Sequence, residues 1–146
     1  MQIQTTRFGT IQVETDDLLL FPAGLPGLEG CRQWVLLPDA HSDALAWLQN
    51  LEHSEIAFAV TSPRRYIPHY RMRVNSGCVE GLKLQNPSQA EILVIIGKSD
   101  SGWTLNLKAP LVINPELRIG RQIISEGNEP VRYVIRNDRN PLKKTA

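Results

Sequence analysis

Arg64, Arg65, Tyr66, Tyr70, Arg71 and Arg73 interleave cations with aromatic rings over one short stretch. Such a pattern on a β surface can hold single-stranded nucleic acid, with guanidiniums on phosphates and rings stacked on bases. The competing reading is a solvated strand face whose tyrosines pack inward. A formal net charge of +1 favours the second reading, because phosphate neutralisation dominates nucleic-acid affinity. A nucleic-acid-binding β module built on residues 64–73 therefore stands as the alternative function, and no direct nucleic-acid contact is expected.

Carboxylates offer less. Asp16, Asp17 and Asp39 fall where turns are expected, and aspartate in a turn bonds local backbone without doing acid–base chemistry. His41, His53 and His69 have no His or Cys three or four residues away, so the spacing does not suggest a metal site. Phosphate-binding, dinucleotide-binding, zinc-protease and serine-hydrolase motifs are all missing. An enzyme is not expected, nor a cofactor or metal.

The elements that must position these residues read as strands. Ile3, Phe8, Ile11 and Val13 mark short strands around a Gly9 turn or bulge, and Leu18 to Phe21 forms another before Pro22. Residues 22–30 hold three glycines and two prolines, hence a structured loop. Leu25 and Leu28 within it predict packing onto the core or a contact surface. Further strands are predicted over Gln33–Leu37, Ile56–Val60, Arg71–Val74, Glu91–Lys98, Ile119–Ser125 (with a bulge at Gly120) and Val131–Ile135. Ser42–Leu51 fits both a helical spacing (Leu45, Leu48, Glu52) and strand alternation (Leu45, Trp47, Gln49, Leu51), and its turn-like flanks favour a strand. Asn75 to Leu84 has room for one short helix, weakened by Gly77 and Gly81. Many short strands and little helix predict an all-β domain, closed or nearly closed into a barrel.

Thr104 to Asn114 is the most distinctive stretch. Leu105 and Leu107 alternate with Asn106 and Lys108, the pattern breaks at Ala109-Pro110, and Leu111-Val112-Ile113 resumes it. Proline has no backbone N–H and a fixed φ, so it cannot sit inside a central ladder. Two strands with a proline joint follow, with Asn106 and Asn114 placed to bond backbone groups that a bend leaves unpaired. Leu105, Leu107, Leu111 and Ile113 are expected to fill the core.

Composition agrees with a single soluble domain. The chain has 146 residues, 42% hydrophobic and 21% charged. A membrane span needs about 18 consecutive apolar residues, and none exists. No secretory signal is evident at the N-terminus. Cys31 and Cys78 form no C-x-x-C pair and read as free thiols in a reducing compartment, so a cytoplasmic protein is expected. Charge is uneven: residues 1–60 carry two basic and eight acidic side chains, residues 61–146 fourteen basic and seven acidic. If the fold keeps the halves apart, the molecule can steer charged partners; if the halves interleave in a sheet, the charges mix and the asymmetry means little.

Several segments in order resemble the FliW family of bacterial flagellar assembly factors. The family's N-L-x-A-P-[IL]-V-I-N run is matched by Asn106, Leu107, Ala109, Pro110, Leu111, Val112, Ile113 and Asn114. An F-x-x-G-[IL]-P-G-[FL] loop is matched by Phe21, Gly24, Leu25, Pro26, Gly27 and Leu28. Val35 to Pro38, Trp47 to Leu51, Ile56 to Val60 and Gly120 to Ile124 match further segments.

The resemblance implies a strongly bent antiparallel barrel-like sheet with at most one or two short helices. One domain over residues 1–136 is expected, and the polar composition of 137–146 predicts a mobile tail. The resemblance also implies a non-enzymatic cytoplasmic protein with two partners. One is flagellin, bound in a chaperone-like way. The other is CsrA, an RNA-binding repressor of flagellin translation whose sequestration relieves repression. Family members are often acidic, and this near-neutral chain, with Arg71 and Arg73, departs from that. The residues expected to meet partners are Glu14, Asp16, Asp17, Leu25, Leu28, Asp39, Tyr66 and Tyr70. Asn106, Ala109, Pro110 and Asn114 are expected to be structural.

Overall fold

Alternation puts every second side chain of each strand on one face, and here those faces turn inward around a closed ring. The computed structural model describes residues 1–73 and 76–135. A hairpin of β1 (Gln2–Thr5) and β2 (Gly9–Gln12) comes first, then a 3-10 turn over Thr15–Asp17. There follow β3 (Leu18–Leu20), β4 (Gln33–Pro38), β5 (Ala46–Asn50) and β6 (Ala57–Thr61). After a short α1 (Ser76–Val79) come β7 (Glu91–Ser99), β8 (Gly102–Leu105), β9 (Leu111–Asn114), β10 (Ile119–Gln122) and β11 (Tyr133–Val134). The larger sheet runs β11-β8-β7-β6-β5-β4-β3-β10-β9, and β9 pairs back onto β7. Seven strands therefore close a barrel, as the alternation predicts. All pairings are antiparallel except β3 with β10, which is parallel and rests on one residue pair, Leu20 with Ile119.

The barrel interior is one apolar cluster. Leu19, Trp34, Leu48, Val60, Leu93, Leu111 and Ile113 each come from a strand of the ring, and Phe21 and Leu25 plug it from the loop after β3. Trp34 is fully buried, donates its indole N–H to Cys31 O at 2.9 Å, and meets Phe21 edge-on at 6.4 Å. Gly120 lies directly beneath the Phe21 ring. A Cβ there would sit 2.7 Å from Phe21 Cζ. The bulge predicted at Gly120 is absent: it pairs in register with Ile113, and the glycine makes room for the ring.

Three smaller clusters lie on the barrel's outer face, each under a cover. The β1–β2 hairpin buries Ile3 and Val13 against Val35. Leu82, from the 3-10 turn Glu80–Leu82, covers Val112 and Ile123. Tyr66 and Tyr70 cover Val94, Ile96, Leu105 and Leu107. Each cover removes apolar surface from water that a bare sheet face would leave exposed.

The proline joint is as expected and has a definite geometry. Ile96 pairs with Leu105, so an unbroken ladder would place Leu93 opposite Lys108. Leu93 instead faces Leu111, three residues later. β8 and β9 thus serve the same strand in succession, with residues 106–110 bulged out between them. The bulge's backbone groups are paired. Tyr70 Oη donates to Leu107 O, Ser125 N to Lys108 O, Gln122 Nε2 to Ala109 O and Ile123 N to Pro110 O. Asn106 Oδ1 accepts from Ala109 N at 3.1 Å, and Asn106 N donates to Ile95 O. Asn114 works at the next turn: its Oδ1 accepts from Glu116 N and Leu117 N, and its Nδ2 donates to Leu82 O at 2.9 Å.

One further expectation differs in detail. Arg71 to Arg73 is not a strand: alternation alone does not make one without a paired neighbour, and this segment runs over the sheet as part of a cover. The residue after it, Val74, and the predicted tail 137–146 lie outside the described residues.

Two stability predictions follow from this packing. Asn114→Ala leaves two N–H groups and a buried C=O without their partner, and should lower unfolding free energy in urea by roughly 1–3 kcal/mol. Gly120→Ala should lower it by about 1–3 kcal/mol through overpacking against Phe21, with β-sheet circular dichroism retained.

Candidate protein-binding surface

The 3-10 turn Thr15–Asp17 projects an acidic cluster. Glu14, Asp16 and Asp17 are all exposed. Asp17 Oδ2 accepts the Glu14 N–H at 3.0 Å, closing the turn. Asp16 makes no such bond among the described residues and is free to face a partner. Immediately beside this turn lies a groove of about 540 Å³ over the β3–β10 seam. Asp16, Leu18, Leu20, Glu116, Leu117 and Arg118 line it. Leu20 and Leu117 are 42% and 51% exposed, large values for leucine on a barrel whose other apolar side chains are mostly covered. Arg118, at φ 58, holds the seam together. Its C=O accepts from Leu20 N, and its guanidinium donates to Asp17 O at 2.9 Å and Leu18 O. Arg118 is thereby held against backbone carbonyls.

Other expected contact residues have different surroundings. Leu25 is 3% exposed and belongs to the barrel core; Leu28 is half-buried and packs against the same core. Leu25 and Leu28 bond each other's backbone across a tight turn, and Gly24, at φ +65, meets Leu28 O so closely that no Cβ fits. The loop therefore packs back onto the core instead of presenting its leucines.

Asp39, half-buried, follows the end of β4. Its Oδ1 accepts the Trp47 indole N–H at 2.9 Å and its Oδ2 accepts His41 N. Desolvation pushes its pKa up, but bonds from Trp47, His41 and Ser42 outweigh that and hold it below the ordinary aspartate value. Asp39 is thus a turn-forming carboxylate, and it lines a different groove from Asp16.

Tyr66 and Tyr70 are 6% and 4% exposed, so neither ring is presented for stacking on a base. This removes the aromatic half of the nucleic-acid arrangement. Burial raises the Tyr66 phenol above its ordinary value. Burial, with the Glu129 carboxylate acting in the same direction, pushes Tyr70 up to about 12. Cys31 is buried in the core, and that burial raises its thiol. No helix among the described residues is long and apolar enough to cross a membrane.

Relatives support the same frame. A family profile described as FliW protein matches residues 2–136. The chain belongs to the FliW family. It is 38% identical over 130 residues to the flagellar assembly factor FliW of Bdellovibrio bacteriovorus, covering 88% of this chain and 74% of that one. It is 33% identical over 132 residues to the one from Moorella thermoacetica, covering 88% and 84%. A crystal structure of the flagellar assembly factor FliW superimposes with a TM-score of 0.84 at 26% identity, over 95% of this chain and 99% of that one. The bent barrel, its bulge and its covers are thus a FliW fold.

Reading the sequence missed Leu20, Glu116 and Leu117. Leu20 looks like any strand leucine, and Leu117 follows a proline turn. Only the parallel seam brings them together.

The Tyr70 environment predicts a pH effect. The unfolded chain loses this proton near 10 and the folded chain near 12, so the folded state binds more protons in that window. The contribution is whole below pH 10 and is lost as pH rises to 12. Denaturant titrations should show wild-type stability falling over that window. Tyr70→Phe should flatten part of this fall, the Tyr66 share remaining. It should also cost roughly 1–3 kcal/mol at neutral pH by orphaning Leu107 O.

Proposed function

We propose that this flagellar assembly factor acts without catalysis, as a cytoplasmic protein that binds flagellin in a chaperone-like way and also binds CsrA. Binding CsrA relieves its repression of flagellin translation. The observation that carries the reading is the acidic turn beside exposed Leu20 and Leu117, on a FliW-family barrel. A basic RNA-binding protein is attracted to exposed carboxylates, and the two leucines supply apolar contact once it arrives.

Two partners competing for one protein make a switch set by mass action. With flagellin at about 100 times its Kd, about 1% of this protein remains free, and CsrA then stays active unless it binds much more tightly. Export of flagellin raises the free fraction. The free protein then takes up CsrA, and translation of flagellin resumes.

Isothermal titration of the purified protein with flagellin and with CsrA, singly and in competition, tests this. Saturable binding of both, with flagellin displacing CsrA, is the expected result. Loss of either binding event overturns the reading. Asp16→Lys should slow CsrA association on the order of tenfold at low salt and flatten its salt dependence. It should leave thermal unfolding unchanged, because Asp16 carries no structural bond among the described residues. Asp17 is less suitable, since its carboxylate closes the turn.

A further inference from the structure

On the other side of the ring, β6 stops supporting β7 early. β6 pairs with β7 only at Val94 and Ile95. Pro63 then turns the chain into a 3-10 turn over Pro63–Arg65. A proline cannot extend the ladder. The first half of β7, Glu91 to Leu93, is held by β9 on one edge only. Ile95 turns its C=O toward the β8 side, where Asn106 N donates to it. Strand alternation therefore turns the N–H and C=O of Ile92 toward the edge that β6 has left.

A groove of about 570 Å³ runs along that open edge. Ile92, Ala90 and Met72 give it an apolar floor, and Arg64 and Arg71 stand on its wall. Residues 61–73 contain four arginines and no carboxylate. Among the described residues none of the four forms an ion pair. Arg64 Nε and Arg65 Nη2 donate to the backbone carbonyls of Tyr70 and Asp43, and the exposed Arg71 has no hydrogen bond among the described residues. Across the groove only Glu91 is acidic.

We propose that this groove binds an acidic, extended peptide segment of a partner protein, which adds as a strand to the free edge of β7. The backbone of Ile92 supplies the ladder bonds. Alternate apolar side chains of the peptide rest on Met72 and Ile92, and its carboxylates meet Arg64 and Arg71. Strand addition of this kind takes its affinity from main-chain bonds and its specificity from pockets for alternate side chains. A sheet edge with an apolar floor favours peptide over RNA, because Tyr66 and Tyr70 are buried and give bases nothing to stack on. The site is separate from the acidic groove at the β3–β10 seam and opposite to it in charge.

The test uses the full chain and a fluorescein-labelled peptide alternating Glu with Val, followed by anisotropy. Its Lys-for-Glu counterpart and a single-stranded RNA oligonucleotide serve as comparison probes. Saturable binding of the Glu peptide is expected, weakened about tenfold or more by Arg71→Glu. Arg71→Gln should give an intermediate loss, and it replaces Arg71→Glu if the latter alters thermal unfolding. Asp16→Lys should leave the peptide's affinity unchanged. Backbone amide shifts on titration should centre on residues 91–93. Equal affinity for the Lys peptide, tighter binding of the RNA, no binding of the Glu peptide, or amide shifts centred elsewhere would each overturn the proposal.

Discussion

Closure of the barrel depends on one edge of β7 being served by two strands in turn. β8 covers its second half and β9 its first, and they cannot be a single regular strand because the register slips by three residues between them. The slip is tolerable only if the bulged backbone finds partners, since each buried unpaired group costs about 1–3 kcal/mol. Here the carbonyls of Leu107, Lys108, Ala109 and Pro110 all have donors, drawn from Tyr70, Ser125, Gln122 and Ile123. Those donors come from distant parts of the chain. The bulge therefore fastens the outer covers to the ring while it bends the ring shut.

This arrangement separates structure from surface. The covers take up the barrel's outer apolar faces, so Tyr66 and Tyr70 are spent on packing and on one backbone bond. What remains accessible is set by where covers end. The acidic turn sits where β3 meets β10, and the arginine-rich segment sits where β6 gives out. Strands from both halves interleave in the ring, and the β3–β10 groove mixes Asp16 from the first half with Glu116 and Arg118 from the second; the uneven charge of the chain persists in the exposed acidic turn and in the arginine-rich segment.

Most of the ring was legible from alternation, because half-buried strands write their two faces into the sequence at period two. Pro110 with Asn106 and Asn114 was legible as a scaffold, because proline excludes itself from a ladder and asparagine suits the groups a bend exposes. Asn50 performs the same service after β5, accepting from Glu52 N and His53 N, and went unnoticed because no proline draws attention to it. Arg71 to Arg73 alternates without a strand neighbour, so its period misled. Gly120 looked like a bulge, yet its glycine answers to Phe21, a residue far away in the chain. The Leu20–Leu117 pair was illegible for the same reason: neither residue has a local pattern that reports the other. Local periodicity records faces, whereas contacts across a seam are known only once the ring is closed.

The seam itself carries a consequence. Every other junction of the seven-strand ring has at least two residue pairs, whereas β3 and β10 share one, reinforced by the Arg118 contacts. A ring opens first at its weakest clasp, so local opening should begin here while the rest of the sheet stays intact. A partner gripping Leu20 and Leu117 together would span that clasp and hold it shut. Occupancy of a patch at the rim would then be felt as stiffness around the whole hoop, reaching the far side of the barrel with no change in its resting shape.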